Sequence, residues 1–420
     1  MSVDACDSAS AIWVNLLYDV NKTRLSMDHK PVILVFLGNY LPGFKSGGPL
    51  RTIVNLVDNL SDEFEFLIIT SDRDLGETSA YPFILLNEWQ DVGRAKVYYI
   101  SPDKMSICNF VNIIKSTPHD LLYFNSFFNP NFTIKPLIAN RFFNPNQQQV
   151  IVAPRGEFSS GALSLKSTKK YIYLMCSKLL GLYRNVIFQA STVHEEKDII
   201  KTLKYPSSRI KIAIDLPEKA ASNPTPIKKT ITNINTDVLS VVFLSRISPM
   251  KNLDFAIQIL NCVDVPLVFD IYGPLEDLAY WLKCQALIEQ LPKNVKVNYC
   301  GSVEPSNVKG IFSRYDLFLF PTLGENYGHV IAESLSVGTP VLLSDQTPWR
   351  NLEADGLGWD LPLHQPNAFV DKIGQFAKLP MELRQQQRLV VQTQALKMLF
   401  NPKIIEENCR LFYSGLKNKN

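Results

Sequence analysis

From Pro31 onward the sequence alternates short apolar runs with longer amphipathic stretches, and that alternation leaves little choice of architecture. Strand and helix units in this order build a mostly parallel sheet with helices on both faces. PVILVFL (31–37), EFEFLIIT (63–70), AKVYYI, DLLYFN, VIVAP and NVIFQAS (185–191) read as strands. Residues 49–60, 166–183 and 194–203 read as helices among them, with Pro49 suited to a first helical turn. The pattern breaks at PEKAASNPTPIKKTITNINTD (217–237), where three prolines and small polar residues carry no periodicity. It then restarts with strands 238–245, 266–273, 295–301, 316–322 and 339–344, separated by helices 252–262, 276–291, 305–314 and 328–337. The expected fold class is α/β: two doubly wound Rossmann-like halves, 31–216 and 238–400, joined by the linker 217–237 and facing a cleft. The tail is helical from about Pro366, and a last helix in 401–420 is expected to pack back on the first half.

Composition narrows the function. The 420 residues, at roughly 150 per domain, suit two or three cores. Lys plus Arg (43) exceed Asp plus Glu (40) by only three, too little for a sequence-independent grip on nucleic acid. No apolar run approaches the roughly 18 residues that cross a bilayer. The seven cysteines are scattered and never spaced CxxC, which argues against zinc and a disulfide framework and for a reducing cytoplasm. Residues 1–30 read as an extension outside the fold, with Met27 as a candidate start and a flexible or helical terminal arm as the other reading.

Ligands of such sheets bind beyond the carboxyl ends of the strands, so the chemistry belongs in the loops there. FLFPTLGENYGHVIAESLSVGTPVLLSD (318–345) is a strand, a turn and a helix opened at Gly328 and closed by Gly338 and Pro340. Glu325 lies in its turn and Glu333 on its helix, and the first-turn N–H groups around Tyr327 to Val330 suit a phosphate. Taken alone, two such glutamates read as a solvated helix face; the strand-turn-helix setting and the closing Gly-Thr-Pro strengthen the functional reading. Arg246 and Lys251 share the loop after strand 238–245, where two cations can clamp a diphosphate or simply face water. Gly47 and Gly48 before a helix allow close backbone approach to a ligand, or a plain turn. His329 reads as a capping or packing residue rather than a base. The basic, aromatic run 166–185 reads either as a packed helix with one basic face or as a surface for anionic lipid.

FLSRISPMKNLDFAI and GENYGHVIAESLSVGTPVLLSD, with the GGP turn and APRGEFSSGAL (153–163), resemble the retaining glycosyltransferases of family 4 from about residue 31 to 416. The resemblance implies a GT-B fold whose C-terminal domain holds a nucleotide diphosphate sugar while the N-terminal domain receives the acceptor. Arg246 and Lys251 would then neutralise the departing diphosphate. Glu325 would hold the donor sugar's hydroxyls and Glu333 the ribose, and the backbone of Asn326, Tyr327, Gly328, His329 and Val330 would hold sugar and phosphate. Gly47 and Gly48 would let the N-terminal loop close on the diphosphate. Several relatives place a histidine after the fourth N-terminal strand; here YFNSFFNPNF (123–132) has none, so either Asn125 or Ser126 takes its place or the role is absent. Arg155 is a further acceptor-side candidate, with a structural salt bridge as its other reading. The resemblance implies no metal and no cofactor beyond the donor, a UDP- or GDP-sugar.

The expected function is a cytoplasmic, membrane-peripheral hexosyltransferase (EC 2.4) that extends a lipid-linked bacterial surface polysaccharide such as an exopolysaccharide, capsule or lipopolysaccharide. Its expected partners are the nucleotide sugar, a glycan or lipid-linked acceptor and, through 166–185, the inner face of the plasma membrane. Nucleic acid is not among them. The alternatives are transfer to a small soluble acceptor, as in sucrose-phosphate synthesis, and an inactive sugar-nucleotide binding module.

Overall fold

The computed structural model describes residues 29–144, 147–164, 167–219 and 238–416. The expected terminal extension, except residues 29 and 30, and the linker beyond 219 lie outside the described residues. The chain divides into two compact units, Met1–Lys219 with Pro402–Asn420, and Ala220–Asn401.

The first unit runs β1 (Val32–Phe36), α1 (Gly48–Leu60), β2 (Glu65–Ser71), β3 (Trp89–Val92), β4 (Ala95–Ile100), α2 (Ile107–Ser116), β5 (Leu121–Phe124), β6 (Val150–Val152), α3 (Ser167–Leu179), β7 (Val186–Ala190), α4 (Val193–Leu203) and β8 (Ile210–Ile212), with shorter helical turns between. The sheet order is β3-β4-β2-β1-β5-β6-β7-β8. Its pairs are parallel except β3 on β4, an antiparallel edge. Both faces of the sheet are covered, so central strands are apolar without interruption and successive side chains feed opposite cores. Ile33, Val35, Leu121 and Tyr123 enter one core, and Leu34, Phe36, Leu122 and Phe124 the other.

The C-terminal helix Pro402–Leu416 belongs to this unit. Leu411, Phe412, Tyr413 and Leu416 complete the first core, with the Phe412 ring 5.2 Å from Phe64 and 5.5 Å from Tyr123. Asn408 fixes its register by donating to the Ile214 carbonyl at 2.8 Å. Gly415 lets it lie close, since a Cβ there would come within 2.7 Å of Leu121 Cδ1.

The second unit runs β9 (Leu239–Leu244), α5 (Leu253–Leu260), β10 (Leu267–Tyr272), α6 (Leu278–Ile288), β11 (Val295–Tyr299), β12 (Leu317–Phe320), α7 (His329–Ser336), β13 (Val341–Ser344), β14 (Gly358–Leu361), α8 (Pro366–Ala377) and α9 (Met381–Leu399). Its sheet, β11-β10-β9-β12-β13-β14, is parallel throughout. The helix expected over 305–314 is a tight turn at Pro305–Asn307 followed by Val308–Phe312. α7 starts one residue later than expected because Gly328, at φ 81°, is left-handed and cannot be its first residue.

In the second unit the chain adds β10 and β11 on one side of β9 and then β12, β13 and β14 on the other. In the first it likewise places β2 and β5 on opposite sides of β1. Where the winding reverses, the two flanking loops part beyond the strand ends and leave a crevice.

Candidate functional site

The reversal in the second unit lies between β9 and β12, and the loops that leave those strands carry most of the expected residues. Lys251 ends a short 3-10 turn, Pro249–Lys251, before α5. Glu325 lies in the turn between β12 and α7. Their side chains form an ion pair, both largely shielded from water at 12% and 14% exposure. The ammonium also sits 5.7 Å above the Phe320 ring. Arg246 instead reaches Glu276 at 2.8 Å, with both side chains well exposed. The two expected cations are therefore not equivalent: Lys251 is seated, and Arg246 is held by a surface pair of little energetic worth.

Glu333 is buried one turn into α7. Asn326, His329 and Val330 are partly exposed, while Tyr327 and Gly328 are buried. The Tyr327 ring lies 4.8 Å from His329 and 5.7 Å from Trp349, so the His329 ring packs against an aromatic neighbour. Gly328 caps α7 without a side chain. A Cβ there would come within 2.7 Å of Ile331 Cδ1, so the bare cap is enforced by space as well as by φ.

Three residues not foreseen hold these loops in place. Asn252, left-handed at φ 59°, donates from Nδ2 to the Pro321 carbonyl at 2.9 Å. Thr322 donates its hydroxyl to the Met250 carbonyl at 3.0 Å, and Leu323 N–H donates to the same oxygen at 2.9 Å. Trp349 donates from Nε1 to the Tyr327 carbonyl at 2.6 Å. Asn252 and Thr322, with the Leu323 N–H, fasten the loop carrying Lys251 to the loop carrying Glu325, and Trp349 ties the latter to the segment after β13. Only the asparagine directly before a helix offered a signal, as a residue that tolerates the left-handed region.

In the first unit the reversal lies between β1 and β5. Gly47 precedes α1 at φ 64° and ψ −122°, a conformation open to glycine alone, whereas a Cβ on Gly48 would meet nothing within 4 Å. Asp74 pins the loop before them by accepting from the N–H groups of Phe44 at 2.9 Å and Lys45 at 3.1 Å. Asn125 follows β5, donates to the Pro49 carbonyl at 2.9 Å and accepts from Arg155 Nε at 2.7 Å. Ser126 donates to Glu157 at 2.7 Å.

Of the two readings open for Arg155, the structure forms the salt bridge. Its guanidinium is buried against Asp215, and Nη2 donates to the Tyr123 hydroxyl at 2.5 Å. Tyr123 in turn donates to Gln189 at 2.6 Å, and Thr52 to Asp215 at 3.0 Å. This network ties β5, β6, β7 and α1 together, and it leaves the Arg155 side chain engaged within the unit. Among the described residues no group of three or more His, Cys, Asp or Glu is arranged to hold a metal ion, and no helix is long and apolar enough to cross a membrane.

Residues 225–390 match the family model described as glycosyl transferases group 1, so the unit bearing Lys251 and Glu325 carries a glycosyltransferase domain. A 41.2 kDa protein encoded in the cps region of Klebsiella pneumoniae is 23% identical over 254 residues, 59% of this chain and 66% of the relative. Two other curated relatives are spanned over only about a quarter of their length. Among solved structures, Anabaena HepE in complex with UDP and glucose superimposes with a TM-score of 0.57 at 15% identity, covering 88% of this chain and 99% of that one. Sucrose-phosphate synthase from Thermosynechococcus elongatus gives 0.64 at 15% identity, covering 93% and 100%. At such identities the likeness establishes the fold, which is GT-B: two Rossmann-like domains, each built on a largely parallel sheet.

Proposed function

We propose that the chain is a retaining glycosyltransferase that moves a sugar from a uridine or guanosine diphosphate sugar to a growing glycan of a bacterial surface polysaccharide. The observation that carries the reading is the Lys251–Glu325 pair at the point where the second sheet reverses its winding. A shielded cation there is positioned for a diphosphate, and a carboxylate beside it for sugar hydroxyls. The relative from a cps region and the UDP complex of HepE support the glycan and the nucleotide respectively.

In this reading Lys251 exchanges Glu325 for the diphosphate as the donor enters, and Arg246 leaves Glu276 to join it. The bare N-terminal end of α7 adds its dipole to the phosphates. Glu325, released from the lysine, accepts from the sugar hydroxyls, and Glu333 accepts from the ribose. The backbone from Asn326 to Val330 supports sugar and phosphate. The glycosidic bond breaks with charge growing on the diphosphate, which Lys251 and Arg246 offset without a metal. The acceptor hydroxyl attacks from the face the diphosphate leaves and passes its proton to it, so no protein nucleophile is needed and configuration is retained. Gly47, with Gly48 beside it, gives the N-terminal loop the backbone freedom for close approach to a ligand. Asn125 and Ser126 stand nearest the acceptor; Arg155 positions Asn125 rather than touching the glycan.

The fold likeness to sucrose-phosphate synthase favours a second reading, transfer to a small soluble acceptor. Incubating the protein with a panel of nucleotide sugars, and either glycan primers or sugar phosphates, tests both. Release of nucleoside diphosphate only with glycan primers, and an α-linked product from an α-linked donor, is expected. Turnover with sugar phosphates alone selects the second reading, and an inverted product removes the retaining mechanism. A true donor at about 100 times its Kd also raises stability by about 2.7 kcal/mol.

A further inference from the structure

Between Glu157 and Glu195 the sequence holds no acidic residue, yet it carries Lys166, Lys169, Lys170, Lys178 and Arg184. The whole chain is only +3, so everything outside this stretch sums to −2. This stretch carries five positive charges and no negative one, and α3 lies within it.

α3 is apolar on two sides. Its inner side packs by Tyr173 against Phe127 and Phe128, at 5.8 and 5.9 Å, and by the buried Ser177. Lys170 also turns inward, donating to the Ala162 carbonyl at 2.6 Å beneath the Phe128 ring. On the outer side Tyr171, Ile172, Met175 and Leu179 are 70%, 51%, 49% and 79% exposed, and Leu180 just beyond is 57% exposed. At about 100° per residue these four helical side chains fall in one stripe roughly 100° wide, directly opposite Tyr173 and Ser177. Lys178 borders that stripe on one edge and Lys169 on the other, and neither is paired with a carboxylate among the described residues. A helix that only packs a core exposes polar residues on its far side; this one exposes a tyrosine and three aliphatic side chains between lysines.

We propose that the outer face of α3 seats the N-terminal unit on an anionic bilayer. Ile172, Met175 and Leu179 enter the boundary of the acyl chains, Tyr171 lies at headgroup level, and the lysine stems run along the apolar stripe to place ammonium groups against lipid phosphates. The unbroken run without acidic residues favours a bilayer over a protein partner, whose mixed surface would call for matching carboxylates. The inference stands apart from the sugar-transfer reading, because binding to plain lipid involves neither donor nor acceptor.

Sedimentation of the full chain with phosphatidylglycerol–phosphatidylcholine vesicles, and with phosphatidylcholine alone, tests it. Binding only to the anionic vesicles, weakening as salt is raised, is expected. Each of Lys169→Gln and Lys178→Gln should reduce partitioning about fivefold, the equivalent of about 1 kcal/mol per cation. Ile172→Ser with Leu179→Ser should reduce it further at every salt concentration while leaving thermal unfolding unchanged, since both side chains already face water. Three results would overturn the proposal: no preference for anionic vesicles, binding that all these variants retain, or a vesicle-free dimer dissolved by Leu179→Ser, which would give the face to a second copy of the chain.

Discussion

Lys251 and Glu325 are 74 positions apart and meet only because β9 and β12 are neighbours. Each already has a partner, so stability and function can be separated by choice of residue. Arg246→Ala breaks an exposed pair, and its unfolding midpoint should move little. In the proposed mechanism Lys251→Ala should lower kcat about 100- to 1000-fold, as loss of one group that stabilises transition-state charge does elsewhere. Full turnover in Lys251→Ala, or in Glu325→Ala, would remove the pair from the reaction. The candidate loops were legible from sequence because a strand end, a turn and a helix start are local signals. Arg155 was not, since its partners Tyr123 and Asp215 come from other elements and only folding joins them. Arg155→Ala should therefore cost stability, about 3–5 kcal/mol, by stranding a buried Asp215. Glu157 offers a pH signature. Burial holds its carboxyl above the ordinary glutamate value of 4.5, against the Ser126 hydroxyl and the Phe127 and Phe128 N–H groups that favour the charged form. The native state binds that proton more tightly than the unfolded chain, so its contribution is full below the ordinary value and is lost as pH rises through the folded one. Glu157→Gln should flatten the decline of the urea midpoint between acid and neutral pH; Glu195, raised by burial in the same direction, supplies part of what remains. An unchanged decline in the variant would assign the titration to other groups.

Among the elements, the long strands were readable because both faces of a parallel sheet are covered and most of their positions are apolar. The short edges were not. β3 (WQDV) has no fully buried residue and β8 (IKI) only Ile210, and runs of three or four positions are too short for a period to emerge; such short edges also discourage pairing with other chains. The joint between α7 and α9 was equally hidden. Gly338, at φ 79°, ends the helical segment where a Cβ would come within 2.5 Å of the Arg388 carbonyl. Arg388 itself donates to the Ser313 carbonyl at 3.0 Å and to the Thr339 hydroxyl at 3.1 Å. Gly338→Ala should thus loosen α9 and lower the thermal midpoint by several degrees, since about 1 kcal/mol shifts a domain of this size by roughly 2–4 °C. In the C-terminal helix, Phe412→Ala empties a fully buried site between Phe64, Phe66 and Tyr123. A loss of about 3–5 kcal/mol in denaturant unfolding is expected, and a loss below 1 kcal/mol would mean that the helix is not part of that core.

At the scale of the whole molecule, the same architectural device occurs twice. Each sheet reverses its winding, and the expected site residues stand beside each reversal: Gly47 and Asn125 in the first unit, Lys251 and Glu325 in the second. The second unit is continuous in sequence, whereas the first borrows its closing helix from the far end of the chain. Residues 238–401 made alone should therefore unfold cooperatively, while deletion of 402–416 should leave the N-terminal unit binding hydrophobic dyes and open to protease. A sharp, protease-resistant N-terminal unit without that helix would contradict its place in the core. The borrowed helix also sets a schedule for biosynthesis. At roughly 5–20 residues per second, a ribosome that has finished the first 219 residues must continue through Asn401 before it begins the helix. For roughly 10 to 40 seconds at that rate the nascent sheet shows Phe64, Phe66 and Tyr123 with no lid, and the half that starts first is the half that finishes last.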